Sequence, residues 1–431
     1  MPYTAISKDS ITRIEYALVY LFMLSLYTYV PITIGDLKIP PLLPSLFAIT
    51  LFFTSCKGRV KKSTATVIAL FLLLALISIV FSPSPLIYLG ERTKGFLYFT
   101  LSIVTAASIQ ATLSRWDRTQ ISRMMSLLTI LILIGCFMEN YLGLRALSDT
   151  FREAIIKTDV YVSDARDINT SGMIRPKLFT AEPSFVAIFL VFTISNWYYT
   201  SNERQKSIIF VGFFGLAAFL VRSPIIFLLL LVYTAGSVKN FSSEIKGRAL
   251  NNKLLLLPFL LLLLVTATFS AQEIISQRLN EILELEDASF LIRIVVPILV
   301  TQELMQTSPM FGAGISGYEY LEEIIYTAFR ELGIHIHFDI DEISRRIVNI
   351  FWAIFINFGL FGGVIFILLF HKLTKNAGVS TKANLFIYYS IVIVYTQIMG
   401  GFNGVRFWSM ALITALSFVS LGASNQLKGE K

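Results

Sequence analysis

The sequence predicts an all-α polytopic membrane protein of about 12 transmembrane segments, two of them short, with a large periplasmic loop. Of the 431 residues, 55% are hydrophobic and only 15% are charged, which excludes a soluble globular protein. The apolar residues occur in blocks of about 20, the length a helix needs to cross a hydrocarbon layer. The net charge of +8 reflects lysines and arginines in short loops that fix membrane orientation, and does not indicate nucleic acid as a partner.

The first apolar block begins near Glu15, after a tail that contains Lys8 and Arg13. It is long and lacks a small-x-small cleavage site, which predicts a retained helix instead of a signal peptide. Cys56 and Cys136 fall at a helix end and inside a helix, so they do not indicate a disulfide framework. The predicted spans are 15–34, 40–56, 64–84, 95–113, 124–145, 180–200, 208–221, 223–236, 253–270, 349–371, 383–400 and 407–423.

One apolar run, 208–236, decides the topology because Arg222 and Pro224 lie at its centre. A single helix would bury an arginine at mid-membrane, which is costly, whereas two helices of about 21 Å each are short for a crossing. Two short helices place all the basic loops on one side and the lysine-free loop 271–347 on the other, as the positive-inside rule requires. Both termini are then cytoplasmic, and Arg222 lies near the outer surface. The basic loops are 57–62, 114–123, 201–207, 237–253 and 371–375.

This topology divides the chain into five regions. The larger outer loop contains apolar runs, which predict helices lying on the membrane surface. The regions are 1–145 (helices 1–5), 146–178 (first periplasmic loop), 179–270 (helices 6–9, with the short hairpin around Arg222), 271–348 (large periplasmic loop) and 349–431 (helices 10–12 and a cytoplasmic tail).

Four charged residues fall near apolar surroundings at the predicted outer face: Arg175, Glu182, Arg222 and Arg293. Arginine stays protonated and its donor fork matches phosphate oxygens, so several converging arginines could hold a pyrophosphate without a metal. Pro183 favours a helix that starts at Glu182, where the helix dipole stabilises a carboxylate. That carboxylate could accept a proton from a hydroxyl group or form a structural salt bridge. Arg293 could equally snorkel to the membrane surface.

Two other motifs have plain interpretations. Residues 312–317 match GxGxxG, but no strand–helix–strand unit surrounds them, so we predict a tight turn. His335, His337, Asp339 and Asp341 alternate along the chain and could share one face of a strand as metal ligands. Short alternation in a charged loop is more typical of solvated surface, which is the interpretation we favour.

Four motifs between residues 170 and 365 follow one another in a characteristic order. They are Arg175-Pro-Lys-Leu-Phe-Thr-Ala-Glu-Pro-Ser184 before a membrane helix, Leu220-Val-Arg222-Ser223 at the turn between short helices, Phe290-Leu-Ile-Arg293 with Ser308-Pro-Met-Phe-Gly-Ala-Gly314 in the large loop, and Asn349 with Gly359 and Gly362 downstream. In order and topology they resemble the O-antigen polymerase (Wzy-like) members of the O-antigen ligase/polymerase superfamily. The first five helices match that family in hydropathy only.

The resemblance implies a GT-C-like fold and a glycosyltransferase that uses undecaprenyl diphosphate as its carrier, with no metal and no cofactor. It implies catalytic roles for Glu182, Arg222 and Arg293, and pyrophosphate or glycan contacts from these two arginines and from Arg175, Lys177, Asn349 and Arg406. The implied partners are lipid-linked oligosaccharide donor and acceptor, membrane lipid, and a chain-length regulator (a Wzz-like co-polymerase). The implied location is the bacterial inner membrane, with the active site facing the periplasm.

Two alternatives remain open from the sequence. O-antigen ligases resemble His-Asn at the closing helix, whereas this chain has Val348 before Asn349, which favours a polymerase. A lipid-linked oligosaccharide flippase or transporter would also have interrupted helices and charges within the membrane. Against a transporter, the sequence has no repeat symmetry and its charges collect at one face.

Overall fold

The fold is a bundle of antiparallel helices, seen in a computed structural model. It describes residues 12–34, 37–39, 41–83, 86–156, 167–168, 173–227, 229–230, 290–331, 349–379, 381–399 and 401–426. The helices are α1 Arg13–Thr28, α2 Leu43–Cys56, α3 Lys62–Val80, α4 Leu89–Leu113, α5 Arg118–Tyr141, α6 Leu144–Ile155, α7 Pro183–Thr200, α8 Lys206–Val221, α9 Val296–Thr307, α10 Tyr318–Glu331, α11 Ile350–Asn376, α12 Lys382–Ile398 and α13 Val405–Gln426. A π-helical turn, Leu291–Val295, precedes α9.

Four of these helices, α3, α4, α5 and α11, are long and apolar enough to cross a membrane. Three shorter apolar helices are Leu43–Cys56, Lys206–Val221 and Val405–Val419. The predicted span 253–270 and half of the span 223–236 lie outside the described residues, so the total of about 12 segments stays a prediction. Both cysteines are free, as predicted, with Cys56 ending α2 and Cys136 buried within α5.

The first predicted span ends earlier than expected. Helix α1 stops at Thr28, and Tyr29 takes a left-handed conformation that closes it. Strand β1, Ile32–Ile34, then pairs antiparallel with strand β2, Leu37–Ile39. Pro31 and the β-branched residues that follow it disfavour helix, so composition alone made this stretch look like more membrane span than it is.

Contacts at the bundle ends define two faces. At the basic end, Arg115 donates to the carbonyl of Ser55 at 2.6 Å and lies 3.7 Å from Glu15, while Arg118 bonds the carbonyl of Tyr199. These contacts bring together the predicted basic loops 57–62, 114–123 and 201–207, as a common side requires. Which side of a membrane this end faces stays a prediction. The opposite end, which we call the site end, contains the C-termini of α1, α5, α8 and α12 and the N-termini of α4, α7, α11 and α13.

An aromatic cluster joins the two halves of the chain. Phe71 of α3 lies 5.0 Å from Phe366 of α11 and 5.3 Å from Trp408 of α13, measured between ring centroids. Phe99 of α4 lies 5.7 Å from Phe402, just before α13. Edge-to-face aromatic contacts add stabilisation beyond burial, which matters where lipid removes the hydrophobic driving force between helices.

Both predicted outer loops contain helix within their described parts. Helix α6 occupies the start of the first loop, where the sequence analysis assigned no helix. In the large loop, α9, α10 and the π-helical turn confirm the expectation of helical structure. Helix α11 is kinked at Gly359, whose φ of 66° and ψ of −174° are not helical.

Candidate functional site

All seven predicted site residues lie at the site end. Arg175, Lys177 and Glu182 precede α7, Arg222 follows α8, and Arg293 lies in the π-helical turn. Asn349 caps α11, and Arg406 lies in the first turn of α13. Residues far apart in sequence therefore share one end of the bundle, although their contacts divide them into smaller clusters.

Arg175 is engaged by a carboxylate that the sequence analysis did not single out. Its Nε donates to Oδ1 of Asp167 at 2.7 Å, and its Nη2 lies 2.6 Å from the same oxygen. The Asp167 side chain is fully buried. Because this carboxylate compensates the guanidinium charge, Arg175 is better suited to holding the loop than to binding phosphate.

The segment 174–182, which we call the clamped loop, has a strained backbone that is hydrogen-bonded to Glu139 of α5. Leu178 and Phe179 have φ values of 34° and 62°, a conformation that bulky L-residues rarely adopt. The buried Glu139 carboxylate accepts the backbone N–H groups of Lys177 at 2.8 Å and Leu178 at 2.6 Å. Such charge-assisted bonds are stronger than neutral ones, so Glu139 stabilises a turn that would otherwise relax.

Helix α6 holds the remainder of the clamped loop. Ser148 Oγ accepts the N–H of Phe179 at 3.0 Å, and Arg145 donates to the carbonyl of Ile174 at 3.0 Å. Arg152, which is almost completely buried, donates to the carbonyl of Ala181 at 3.3 Å. The loop that leads to Glu182 is therefore fixed by side chains on both α5 and α6.

Glu182 is the N-cap residue of α7, with Pro183 in the first turn, which confirms the predicted helix start. Its Oε2 accepts a hydrogen bond from Ser184 Oγ at 2.9 Å. Arg406 and Glu182 form no contact ion pair; the guanidinium of Arg406 lies against Phe185, whose N–H donates to the Glu182 carbonyl at 3.1 Å. The starts of α7 and α13 therefore adjoin, which brings a cation and an anion onto neighbouring segments.

Arg406 is only 5% exposed and its guanidinium is fixed by neighbours from two other segments. Nε donates to the carbonyl of Leu26 at 3.0 Å, and Nη2 donates to that of Tyr27 at 2.9 Å. The guanidinium carbon lies 4.2 Å from the ring centroid of Tyr29 and 4.4 Å from that of Phe185. Stacking between two rings favours arginine over lysine at this position.

Arg222 ends α8, which confirms the helix break predicted there. It adopts a left-handed conformation with φ of 48°, and its N–H donates to the carbonyl of Ala218 at 3.2 Å. Its side chain is exposed, and helical backbone resumes at 224–227. Asn140, at the end of α5, donates to the carbonyl of Leu220 at 2.9 Å, so this turn lies beside the helix that supplies Glu139.

Arg293 and Asn349 meet through the backbone. The fully buried Asn349 amide donates to the carbonyl of Arg293 at 3.0 Å and to Oε1 of Gln397 at 2.9 Å. Its Oδ1 accepts the N–H groups of Phe351 and Trp352 at the start of α11. Both amide donors are therefore used within the protein, and the predicted substrate contact of Asn349 stays a prediction. The π-helical turn that carries Arg293 is a local distortion of the kind frequent at functional sites.

The segment 308–317 forms the predicted tight turn and docks against the kink in α11. Ala313 N–H donates to the carbonyl of Ile356 at 2.8 Å, and Leu360 N–H donates to that of Pro309 at 2.8 Å. Gly312 has φ of +63°, and a Cβ there would lie 2.3 Å from the oxygen of Ile356, so only glycine fits this close approach. The glycines of the turn thus serve backbone packing.

Arg92 fastens the same turn from the other side, a role that the sequence analysis missed. It is completely buried, and its Nη2 donates to the carbonyl of Pro83 at 2.7 Å and to that of Ala313 at 3.1 Å. Its Nη1 bonds Ser82 Oγ. An arginine just before an apolar run normally signals snorkelling, so no sequence feature distinguished it. Glu139 is different, because a carboxylate inside a predicted span is itself a signal.

In the part of the chain that the structure describes, no three His, Cys, Asp or Glu residues group together in a way that could hold a metal ion. The alternating residues His335, His337, Asp339 and Asp341 lie outside the described residues, so the prediction about them is untouched.

The long apolar helices define the class of this chain, a multi-pass helical membrane protein. Its site end collects buried charged and polar residues, which are costly in a membrane protein and need partners. A scan against protein-family models finds no match for this chain, and a search of curated proteins finds no matching relative.

Proposed function

We propose that the chain polymerises undecaprenyl-diphosphate-linked oligosaccharide repeat units into O-antigen or a related surface polysaccharide. It acts as a metal-independent glycosyltransferase of GT-C type at the periplasmic face of a bacterial inner membrane. The observation that carries the proposal is the collection of Glu182, Arg222, Arg293 and Arg406 at one end of a membrane bundle. The motif resemblance described above supplies the substrate class.

The transfer takes place at the anomeric carbon of the donor glycan. Glu182 takes the proton of an acceptor hydroxyl, and the hydroxyl oxygen forms a bond to that carbon. The bond from the anomeric carbon to the diphosphate breaks, and its electron pair leaves on undecaprenyl diphosphate. Arg222 and Arg293 stabilise the charge that develops on the leaving diphosphate, which a metal does in other transferases.

Single replacement of Arg222 or Arg293 by alanine, or Glu182 by glutamine, is expected to abolish long polymer in cells. Because a ligase downstream still transfers single units, lipid A core should carry one repeat unit. Each substitution should lower polymer formation by at least about 100-fold, the scale seen when one oxyanion-stabilising donor is removed. Gel separation of lipopolysaccharide measures both outcomes.

Arg204→Ala is the matched control, since Arg204 is an exposed arginine at the basic end. It should leave the ladder unchanged. Loss of all capping in the site variants would favour a ligase or flippase, and persistence of long chains in Arg222→Ala would remove Arg222 from the site.

A reconstituted reaction tests the proposal directly. Purified protein incubated with lipid-linked repeat units is expected to yield a ladder of products with undecaprenyl diphosphate released. The ladder should persist in the presence of a chelator. Movement of intact substrate across a vesicle membrane without a ladder would instead identify a flippase.

Asn349 provides a test of positioning that separates stability from activity. Asn349→Ser keeps a good N-cap for α11 but loses the two donated bonds to Arg293 and Gln397. It should therefore lose polymer formation about tenfold while its Tm stays within a few degrees of the parent. Asn349→Ala should lower the Tm further, because the loss of the N-cap reduces the free energy of unfolding by about 1 kcal/mol. Full activity in Asn349→Ser would show that the hydrogen bonds donated by Asn349 do not position Arg293.

A further inference from the structure

Like Arg92, Arg406 is a buried cation at the site end. It lies in the first turn of α13, where the helix dipole disfavours positive charge, and no contact ion pair with a described carboxylate offsets it. Burying a charge under these conditions costs free energy that neutral residues would avoid. The two aromatic rings and two carbonyls around it hold the guanidinium in one orientation.

Arg406 has an unused hydrogen-bond donor, and Glu182 has an unused acceptor. With Nε and Nη2 occupied by carbonyls of α1, Nη1 of Arg406 makes no hydrogen bond with the described residues. On Glu182, Ser184 holds Oε2, and Oε1 makes no hydrogen bond within the described part of the chain. The guanidinium carbon of Arg406 lies 4.4 Å from the ring centroid of Phe185, whose N–H bonds the Glu182 carbonyl, so the unused donor and the unused acceptor lie at adjoining helix starts.

We propose that Glu182 and Arg406 form the subsite for the acceptor hydroxyl, an inference that rests on the proposed polymerase function. A hydroxyl group both donates and accepts, so it can donate to Glu182 Oε1 while its oxygen accepts from Arg406 Nη1. Arg406 thus orients the lone pairs of the attacking oxygen as Glu182 takes its proton. A diphosphate has only acceptor oxygens, and the Glu182 carboxylate would repel it.

This assignment divides the site into two halves. The acceptor half is built from α1, α7 and α13 around Glu182 and Arg406. The donor half contains Arg293, whose backbone is joined to the start of α11 and the end of α12 through Asn349 and Gln397. The segment 399–404 connects α12 to α13 and so links the halves directly along the chain. Variants in the two halves should therefore affect different ligands.

The test measures two affinities on purified full-length protein. One probe is the free repeat-unit oligosaccharide released from the host's own lipid-linked intermediate, and the other is undecaprenyl diphosphate. Arg406→Lys keeps the charge but loses the fork and the stacking. It should weaken oligosaccharide binding about tenfold, the scale of one charge-assisted hydrogen bond, and leave undecaprenyl diphosphate binding within twofold. Arg293→Ala should do the reverse.

Glu182→Gln is the second variant. Among the described residues, the half-buried Glu182 side chain bonds Ser184 alone, so the substitution should not disturb folding. The loss of the charged acceptor should weaken oligosaccharide binding by a similar factor. If Arg406→Lys unfolds, the Glu182→Gln variant alone tests the assignment. Weaker undecaprenyl diphosphate binding in these variants, or no change in either affinity, overturns the acceptor assignment. If the variants show that pattern while the parent protein forms a ladder, the polymerase proposal stands and the acceptor assignment falls. If the parent protein forms no ladder, both proposals fall.

Discussion

Glu139→Gln is expected to lower both the stability of the protein and the amount of polymer that it forms. The buried carboxylate accepts two backbone N–H groups, whereas a glutamine amide would turn its own donors toward one of them. One backbone donor of the strained turn at Leu178 would then be buried without a partner. Leaving one such buried donor without a partner costs about 1–3 kcal/mol. Thermal unfolding in detergent and the lipopolysaccharide ladder measure the two effects.

Glu153→Gln is the control, because Glu153 lies exposed on α6 close in sequence to the same loop. It should change the free energy of unfolding by less than about 0.5 kcal/mol. Glu139→Asp, which keeps the charge but shortens the reach, should give an intermediate effect. If Glu139→Gln unfolds at the parent temperature, the carboxylate does not stabilise the clamped loop.

The sequence predicted those features of the site that depend on local chemistry. The helix start at Glu182 follows from the proline after it, and the helix break at Arg222 follows from the cost of burying an arginine at mid-membrane. The tight turn at 312–317 follows from its glycines. Each of these signals lies within a few residues of the feature it predicts.

The partners of the predicted residues were not predictable in the same way. Nothing near Arg175 in sequence distinguishes Asp167 from any other loop carboxylate, and the contact becomes visible only in three dimensions. Likewise, Asn349 carries a local signal as a helix cap, but its second role depends on the approach of Arg293 and Gln397. Fold-dependent contacts of this kind give Arg175 and Asn349 partners within the protein, while their predicted ligand contacts stay predictions.

Hydropathy averaged over a segment does not distinguish its secondary structure. Apolar residues fill both helix α1 and strand β1, Ile32–Ile34, so hydropathy extended the first predicted span beyond Thr28. Helix α6 has the opposite problem, since its polar composition resembles a loop until its apolar face is counted at helical spacing. In both places, residue order carries information that hydropathy averages remove.

Gly359→Ala is expected to displace the turn at 308–317 and to lower stability strongly. Gly359 has φ of 66° and ψ of −174°, a region that only glycine adopts readily, at a cost of about 1–3 kcal/mol for other residues. An added Cβ would also lie 2.5 Å from the backbone of Met310 and Phe311, which cannot move aside as a side-chain tip can. Because α9 packs on α11, the displacement should reach Arg293 and reduce polymer formation. The free energy of unfolding and the polymer yield measure this prediction.

Gly215→Ala provides the matched comparison, since Gly215 lies in α8 with open space where a Cβ would be. Alanine there should leave polymer formation unchanged and raise helix stability by up to about 1 kcal/mol, because glycine is the poorer helix former. A Gly359→Ala protein as stable and active as Gly215→Ala would mean that the kink does not seat the turn. Loss of activity with parental stability would instead place the effect in the geometry around Arg293, since the clash would then be relieved by movement of the turn and not by unfolding.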